Sequence, residues 1–163
     1  MKIGILSDTH GEVQCTQQAI NVLTQLGVSL LIHCGDIGSD TIPVCRGMRT
    51  HFVPGNIDDP KQLRQVITDP QHTFHDRMGT LEIEGRRVAF LHGHDVKLLR
   101  STIHSGEWDL VCHGHTHAFS SNMEGKTLVV NPGALARTSH PSLAVVELPS
   151  LEVTQIPLWA AMA

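Results

Sequence analysis

The 163-residue sequence contains no tyrosine, two tryptophans and four phenylalanines. No apolar run approaches the roughly 20 residues a helix needs to cross a bilayer, which excludes a membrane-spanning helix. No cluster of lysine or arginine exceeds the pair Arg86-Arg87, and the formal net charge is −4 with histidines neutral. The basic track and aromatic stacking run of a nucleic-acid binder are therefore missing. Cys15, Cys34, Cys45 and Cys112 form no CxxC pair, so they read as reduced, mostly buried thiols. The N-terminal apolar stretch meets Ser7 and Asp8 too early for a secretory signal, and a cytoplasmic location is expected.

The length suits one compact domain spanning 1–163, able to bury about 70% of its unfolded surface without staples. Short apolar runs rich in β-branched residues predict strands at Ile3–Leu6, Val28–Ile32, His51–Val53, Leu81–Ile83, Val88–Leu91, Leu110–Cys112, Leu128–Val130 and Leu143–Leu148. Leu151, Val153 and Ile156 alternate as a last strand, and Leu158-Trp159 reads either as its packed end or as an interface. Runs apolar on both faces imply strands covered on both sides. Between them, Ala19, Ile20, Leu23 and Leu26 recur at helical spacing before Gly27, a C-terminal stop. Asp59-Pro60 opens a second helix with Leu63, Val66 and Ile67 on one face. Asp95 caps a third whose Val96, Leu99 and Ile103 face inward, and a short helix is expected around Asp40–Arg46. The order of elements suggests an α/β domain with a two-layered β core and helices outside.

Twelve histidines stand against the missing tyrosines, and their positions matter more than their number. Consecutive strand exits carry Asp8-Thr9-His10, Gly35-Asp36, Gly55-Asn56, His92-Gly93-His94, His113-Gly114-His115-Thr116-His117 and Asn131-Pro132-Gly133-Ala134. The carboxyl ends of strands are where α/β proteins build sites. Taken singly, each motif has a plain structural reading. Thr9-His10-Gly11-Glu12 fits a helix capping box, and Gly35-Asp36 and Gly55-Asn56 are common turn pairs. Two aspartates, one asparagine and four histidines at successive exits are hard to explain as independent turns. Carboxylate, amide oxygen and imidazole together suit divalent ions such as Mn²⁺, Fe²⁺ or Zn²⁺. Seven such groups exceed the needs of one tetrahedral ion and suffice for two that share a carboxylate.

In these motifs the sequence resembles the calcineurin-like metallophosphoesterases, and in its short length, Asp36 and Asn131-Pro132-Gly133 it resembles their small YfcE-like phosphodiesterase branch. The resemblance runs from Met1 to about Val146 and implies a four-layer αββα sandwich, two mixed sheets flanked by helices. It implies two divalent metal ions, Mn²⁺ favoured, with Fe²⁺, Zn²⁺ and Ni²⁺ as alternatives. The first would be held by Asp8, His10, Asp36 and His117, the second by Asp36, Asn56, His92 and His115. His115 and His117, two apart, would project to one side of an extended segment, and some bend would let each address its own ion. The activity implied is hydrolysis of small phosphate esters by in-line attack of a hydroxide bridging the ions, with Asn56 and His115 also orienting the ester.

Many relatives carry histidine after the glycine-asparagine pair, as acid for the leaving group. Here Gly55-Asn56 is followed by Ile57, which cannot give a proton. Activated diesters are therefore the favoured substrates, and His94 is a candidate replacement donor or a packed histidine. His33 and His113, beside strand ends, are candidate neighbours of the ligands, while His51, His72, His75, His104 and His140 read as surface or packing residues. Arg137 reads as a solvated side chain or a phosphate contact, and Asn131 as a buttress of the ligand loops. Rival readings are a non-catalytic scaffold of the same fold, like the eukaryotic retromer subunit, a phosphomonoesterase, and a nuclease. Oligomeric state has no signature in the sequence.

Overall fold

Alternation within the apolar runs decides how the layers form. In the computed structural model, which describes residues 1–158, β1 (Lys2–Leu6) turns Ile3 and Ile5 toward a second sheet and Leu6 toward helices. β2 (Leu30–His33) does the same with Leu30 and Ile32 on one face and Leu31 on the other. From the second sheet, β6 (Arg86–Leu91) offers Val88 and Phe90 to the shared core and Ala89 and Leu91 to its own outer helix. Each fully buried Leu, Ile or Phe contributes about 1.5–3 kcal/mol, and a slip of one residue would exchange the two faces. The result is the αββα sandwich expected from the sequence.

The first sheet has the order β11-β10-β1-β2-β3-β4, with β3 at Thr50–Phe52, β4 at His72–Phe74, β10 at Ser142–Glu147 and β11 at Glu152–Pro157. The second runs β5-β6-β7-β9-β8, with β5 at Met78–Ile83, β7 at Leu110–Cys112, β8 at Ser120–Glu124 and β9 at Thr127–Asn131. β1 to β4 are mutually parallel, as are β6, β7 and β9, so the exits of each set lie along one rim. Antiparallel partners close the flanks, β10 against β1 and β5 against β6.

Helix α1 (Val13–Gln25) lays Ala19, Ile20 and Leu23 on the first sheet, so close that a Cβ on Gly4 would meet Leu23 Cδ2 at 2.9 Å. Gly27, at φ 73°, ends it as expected: its N–H bonds the Thr24 carbonyl and that of Val28 the Leu23 carbonyl. Asp59 caps α2 (Pro60–Val66) through Lys61 N, and Asp95 caps α3 (Val96–His104) through Leu98 N.

Three expectations need correction. Val66 is 40% exposed because α2 ends there, leaving the inward contacts to Leu63 and Ile67. Val96 is 54% exposed in the first turn of α3, and Leu98 joins Leu99 and Ile103 against the sheet instead. The helix expected around Asp40–Arg46 is a 3-10 helix over Ser39–Cys45, with Pro43 inside it. β4 and β8 were not foreseen; both are edge strands, and β8 reads Ser-Ser-Asn-Met-Glu. Leu158 is buried in the core behind α1, whereas Trp159 lies outside the described residues.

Candidate metal centre

The backbone is bent at the ligand positions themselves. Asp8, His10, Asp36, His115 and His117 all have positive φ, between 46° and 71°, in the left-handed region that residues with a Cβ rarely occupy. Such conformations cost roughly 1–3 kcal/mol each and persist where surrounding structure enforces them. The enforcement is visible. Asp8 N–H bonds the Gly35 carbonyl and His10 N–H the Asp36 carbonyl, each at 2.9 Å, zipping the first two loops together. Gly114 N–H bonds the His92 carbonyl at 3.0 Å, and Ala136 N–H the Asp8 carbonyl at 3.0 Å. Gly55 packs on the Asp36 carboxylate and Gly114 on the Ser7 hydroxyl, leaving neither any room for a Cβ.

Two plain readings fall away here. Thr9 caps no helix: its hydroxyl donates to the Ile37 carbonyl at 2.6 Å, and Glu12 precedes α1 without a side-chain cap. The segment through His115 and His117 is not extended. Both residues are left-handed, and they turn to different neighbours.

The side chains converge in two groups, Asp8 with His10 and His117, and Asp36 with His92 and His115; within each group the ligand atoms lie within 4.8 Å of one another. Asp36 stands between them, its Oδ2 3.3 Å from His92 Nε2 and 3.8 Å from His10 Nε2. His117 Nε2 is 3.1 Å from Asp8 Oδ1, and His92 Nε2 is 3.1 Å from Asn56 Oδ1. The structure thus brings all seven candidate residues to one place.

Protonation makes this arrangement informative. His92 Nδ1 lies 2.8 Å from the Cys34 carbonyl, which can only accept, so Nδ1 carries the proton. In the neutral ring, Nε2 is then a bare lone pair facing two more acceptors, Asn56 Oδ1 and Asp36 Oδ2. Burial disfavours the charged His92 ring, but the Asp36 carboxylate and the Cys34 carbonyl outweigh it and raise the pKa. For Asp36, burial is likewise opposed by His92 and by the Ile57 N–H, and its pKa is lowered. His10 is the reverse case. Burial and then the charge of Arg137 lower its pKa, and both ring nitrogens are buried without a hydrogen-bond partner among the described residues. Lone pairs facing one another, beside an unpartnered buried imidazole, fit a divalent cation well.

Other residues fix these loops. Ser7 Oγ donates to Asp8 Oδ2 at 2.6 Å, and His115 N–H donates to the same oxygen at 3.1 Å. Buried Asn131 behaves as the expected buttress, its Nδ2 donating to the Gly114 carbonyl and to Thr116 Oγ1. His33 accepts from Gly35 N–H at Nδ1, so Nε2 donates to Thr9 Oγ1; burial first of all lowers its pKa to about 4, keeping it neutral. Asp58 is a residue the sequence reading left without a role. Its carboxylate accepts N–H bonds from Ile37, Gly38 and Gly55, tying the Asp36 loop to the Asn56 loop. Its only sequence signal is its place in Gly55-Asn56-Ile57-Asp58. Asp58→Asn would turn an N–H₂ toward these donors, costing about 1–3 kcal/mol. A lower melting temperature and a 10–100-fold weaker Mn²⁺ titration are expected, in the range typical of groups supporting metal ligands; unchanged Mn²⁺ affinity would contradict the role.

The remaining candidates lie around this centre. His94 is exposed, its ring centroid 5.5 Å from that of His92 and 6.3 Å from that of His115. Arg137 is exposed, at φ 55°, close enough for its charge to act on His10. His113 Nδ1 donates to the Gly114 carbonyl. His51 and His72 are buried and His75 partly so; His51 Nδ1 and His75 Nε2 pair at 2.9 Å beside Phe90. His104 and His140 are exposed.

Comparison with known proteins matches residues 1–150 to the calcineurin-like phosphoesterase superfamily domain. The phosphodiesterase MJ0936 of Methanocaldococcus jannaschii is 30% identical over 165 residues, covering 97% of this chain and 99% of its own. A solved structure described as a novel archaeal phosphodiesterase superposes with a TM-score of 0.86 at 28% identity, covering 97% of this chain and 100% of its own. The Escherichia coli phosphoesterase YfcE shares the fold, with a TM-score of 0.71 at 18% identity, covering 96% and 98%.

Proposed function

Because the chain belongs to the calcineurin-like phosphoesterase superfamily and is a hydrolase of phosphate esters, we propose that it is a two-metal phosphodiesterase acting on small substrates. Asp8, His10, Asp36 and His117 hold one ion, and Asp36, Asn56, His92 and His115 the other, with Asp36 shared. The observation carrying this reading is the meeting of His92 Nε2, Asn56 Oδ1 and Asp36 Oδ2, three acceptors without a proton among them while the ring is neutral. Two such ions would supply Lewis acidity toward the phosphate oxygens and a water acidic enough to ionise near neutral pH. Mn²⁺ is favoured, although these donors also accept Fe²⁺, Zn²⁺ and Ni²⁺. The single domain over 1–163 and a cytoplasmic location belong to the same reading; four free cysteines fit a reducing compartment.

The chain's own side chains favour one class of ester. Asn56 and His115, both exposed beside the second group, orient the ester. Ile57 is 52% exposed where an acid would be useful, and it has no proton to give. His94 is the candidate replacement. Burial, then the charges of His92 and His115, lower its pKa, so at neutral pH it is mostly unprotonated and poorly suited as a donor. Diesters whose leaving group departs without acid help are therefore favoured over monoesters. Hydrolysis of aryl methyl phosphates, with and without Mn²⁺, across leaving groups of rising pKa tests this. Rates should require Mn²⁺ and fall steeply along the series; a flat dependence would reveal an acid. Absence of metal-dependent turnover with any phosphate ester would favour the non-catalytic scaffold.

A further inference from the structure

Beside the second ligand group lies a cavity of about 180 Å³ between the exits of β3 and β6 and the start of α3. Pro54, Pro60, Leu91 and Leu98 give it apolar walls, and Gly55, His92 and His94 join it to the candidate metal centre. Resting on the phosphodiesterase reading, we propose that this cavity is a specificity subsite. It takes an uncharged ring, such as a phenyl group or a nucleobase, carried by the substituent that stays on phosphorus.

Size, charge and position support this occupant. Complete ligand pockets commonly measure about 300–1,000 Å³, so this one suits a single ring-sized fragment. Its charged residues are already committed: Arg77 to Asp95 at 2.6 Å, and Asp76 to Arg64. Among the described residues Arg77 is the one lysine or arginine in the lining, so a second phosphate or carboxylate would find no uncommitted cation there. His94 adds a flat imidazole ring at the join between cavity and centre, next to the His92 and His115 rings. A phosphate held at the centre would thus have its substituent beside proline and leucine walls rather than in water.

The test holds the leaving group constant. The 4-nitrophenyl esters of phenyl phosphate and of methyl phosphate are compared in Mn²⁺-loaded wild type and in Leu98→Trp, which fills the cavity. Wild type should prefer the phenyl substrate. In Leu98→Trp its kcat/KM should fall about 10–100-fold, the scale of a lost apolar contact, with that of the methyl substrate nearly unchanged. Equal losses for the two substrates, or no preference in wild type, would overturn the subsite. A second readout does not depend on turnover. Phenol and adenosine, titrated into the metal-free protein, should shift the methyl NMR signals of Leu91 and Leu98 in wild type, and that of Leu91 should stay put in Leu98→Trp. No shift in wild type overturns the subsite. Shifts in a protein that cleaves neither ester would sink the phosphodiesterase reading alone.

Discussion

Replacing Asp36 with asparagine is expected to cut turnover of an aryl phosphodiester about 1,000-fold, a loss of about 4 kcal/mol in transition-state stabilisation. Asp36 stands between the two groups and is the ligand that the two-metal reading shares, with Oδ2 3.3 Å from His92 Nε2 and 3.8 Å from His10 Nε2. Its lowered pKa keeps it ionised throughout the neutral range. Asparagine is nearly the same size, and its oxygen could still accept the Ile57 N–H that Asp36 Oδ1 accepts now, so the fold should survive. What would disappear, on the two-metal reading, is the negative charge between the two cations. Steady-state kinetics with metal analysis separates the possibilities: bound metal should drop from two ions per chain toward one or none. A variant that keeps two ions and near-normal turnover would remove Asp36 from its shared position.

Chelation should abolish turnover and also loosen the fold. With metal at 100 times its dissociation constant, binding adds about 2.7 kcal/mol to stability. For a chain of this length that corresponds to about 5–10 °C in melting temperature. The effect should depend on pH in a definite direction. His92 has a raised pKa in the metal-free protein, so its proton must leave before Nε2 can bind a cation. Below about pH 6 protons therefore displace metal from the ligand histidines, and both activity and the metal-dependent rise in melting temperature should fade together. His10, with its lowered pKa, remains available as a neutral donor further into the acid range. Thermal melts with and without chelator across pH 5–8 would check this; a metal-dependent rise constant across that range would argue against histidine ligands.

Much of the fold was legible because burial on two faces leaves a mark on sequence. Runs such as Ile3–Leu6 and Val88–Leu91 must satisfy a core on each side, and they stand out. β4 and β8 lie at sheet edges, where one neighbour and partial exposure permit polar residues, so Ser120–Glu124 carried no strand signal. Val66 and Val96 obeyed helical spacing and still met solvent. Periodicity describes an infinite helix, not where a short one ends or which of its turns reaches the sheet. Strand exits exposed the candidate ligands as a set, since parallel strands put their ends on one rim. The left-handed bends at Asp8, His10, Asp36, His115 and His117 were not visible, because nothing in those residue types requires them. Asp58 was missed for a related reason: its partners are backbone N–H groups of Ile37, Gly38 and Gly55, which every sequence has.

Anomalous diffraction from crystals grown with Mn²⁺ addresses the paired-ion centre most directly. Two peaks roughly 3.5–4 Å apart are expected, one among Asp8, His10 and His117 and one among Asn56, His92 and His115, with the Asp36 carboxylate touching both. A single peak, or manganese bound away from these residues, would contradict it.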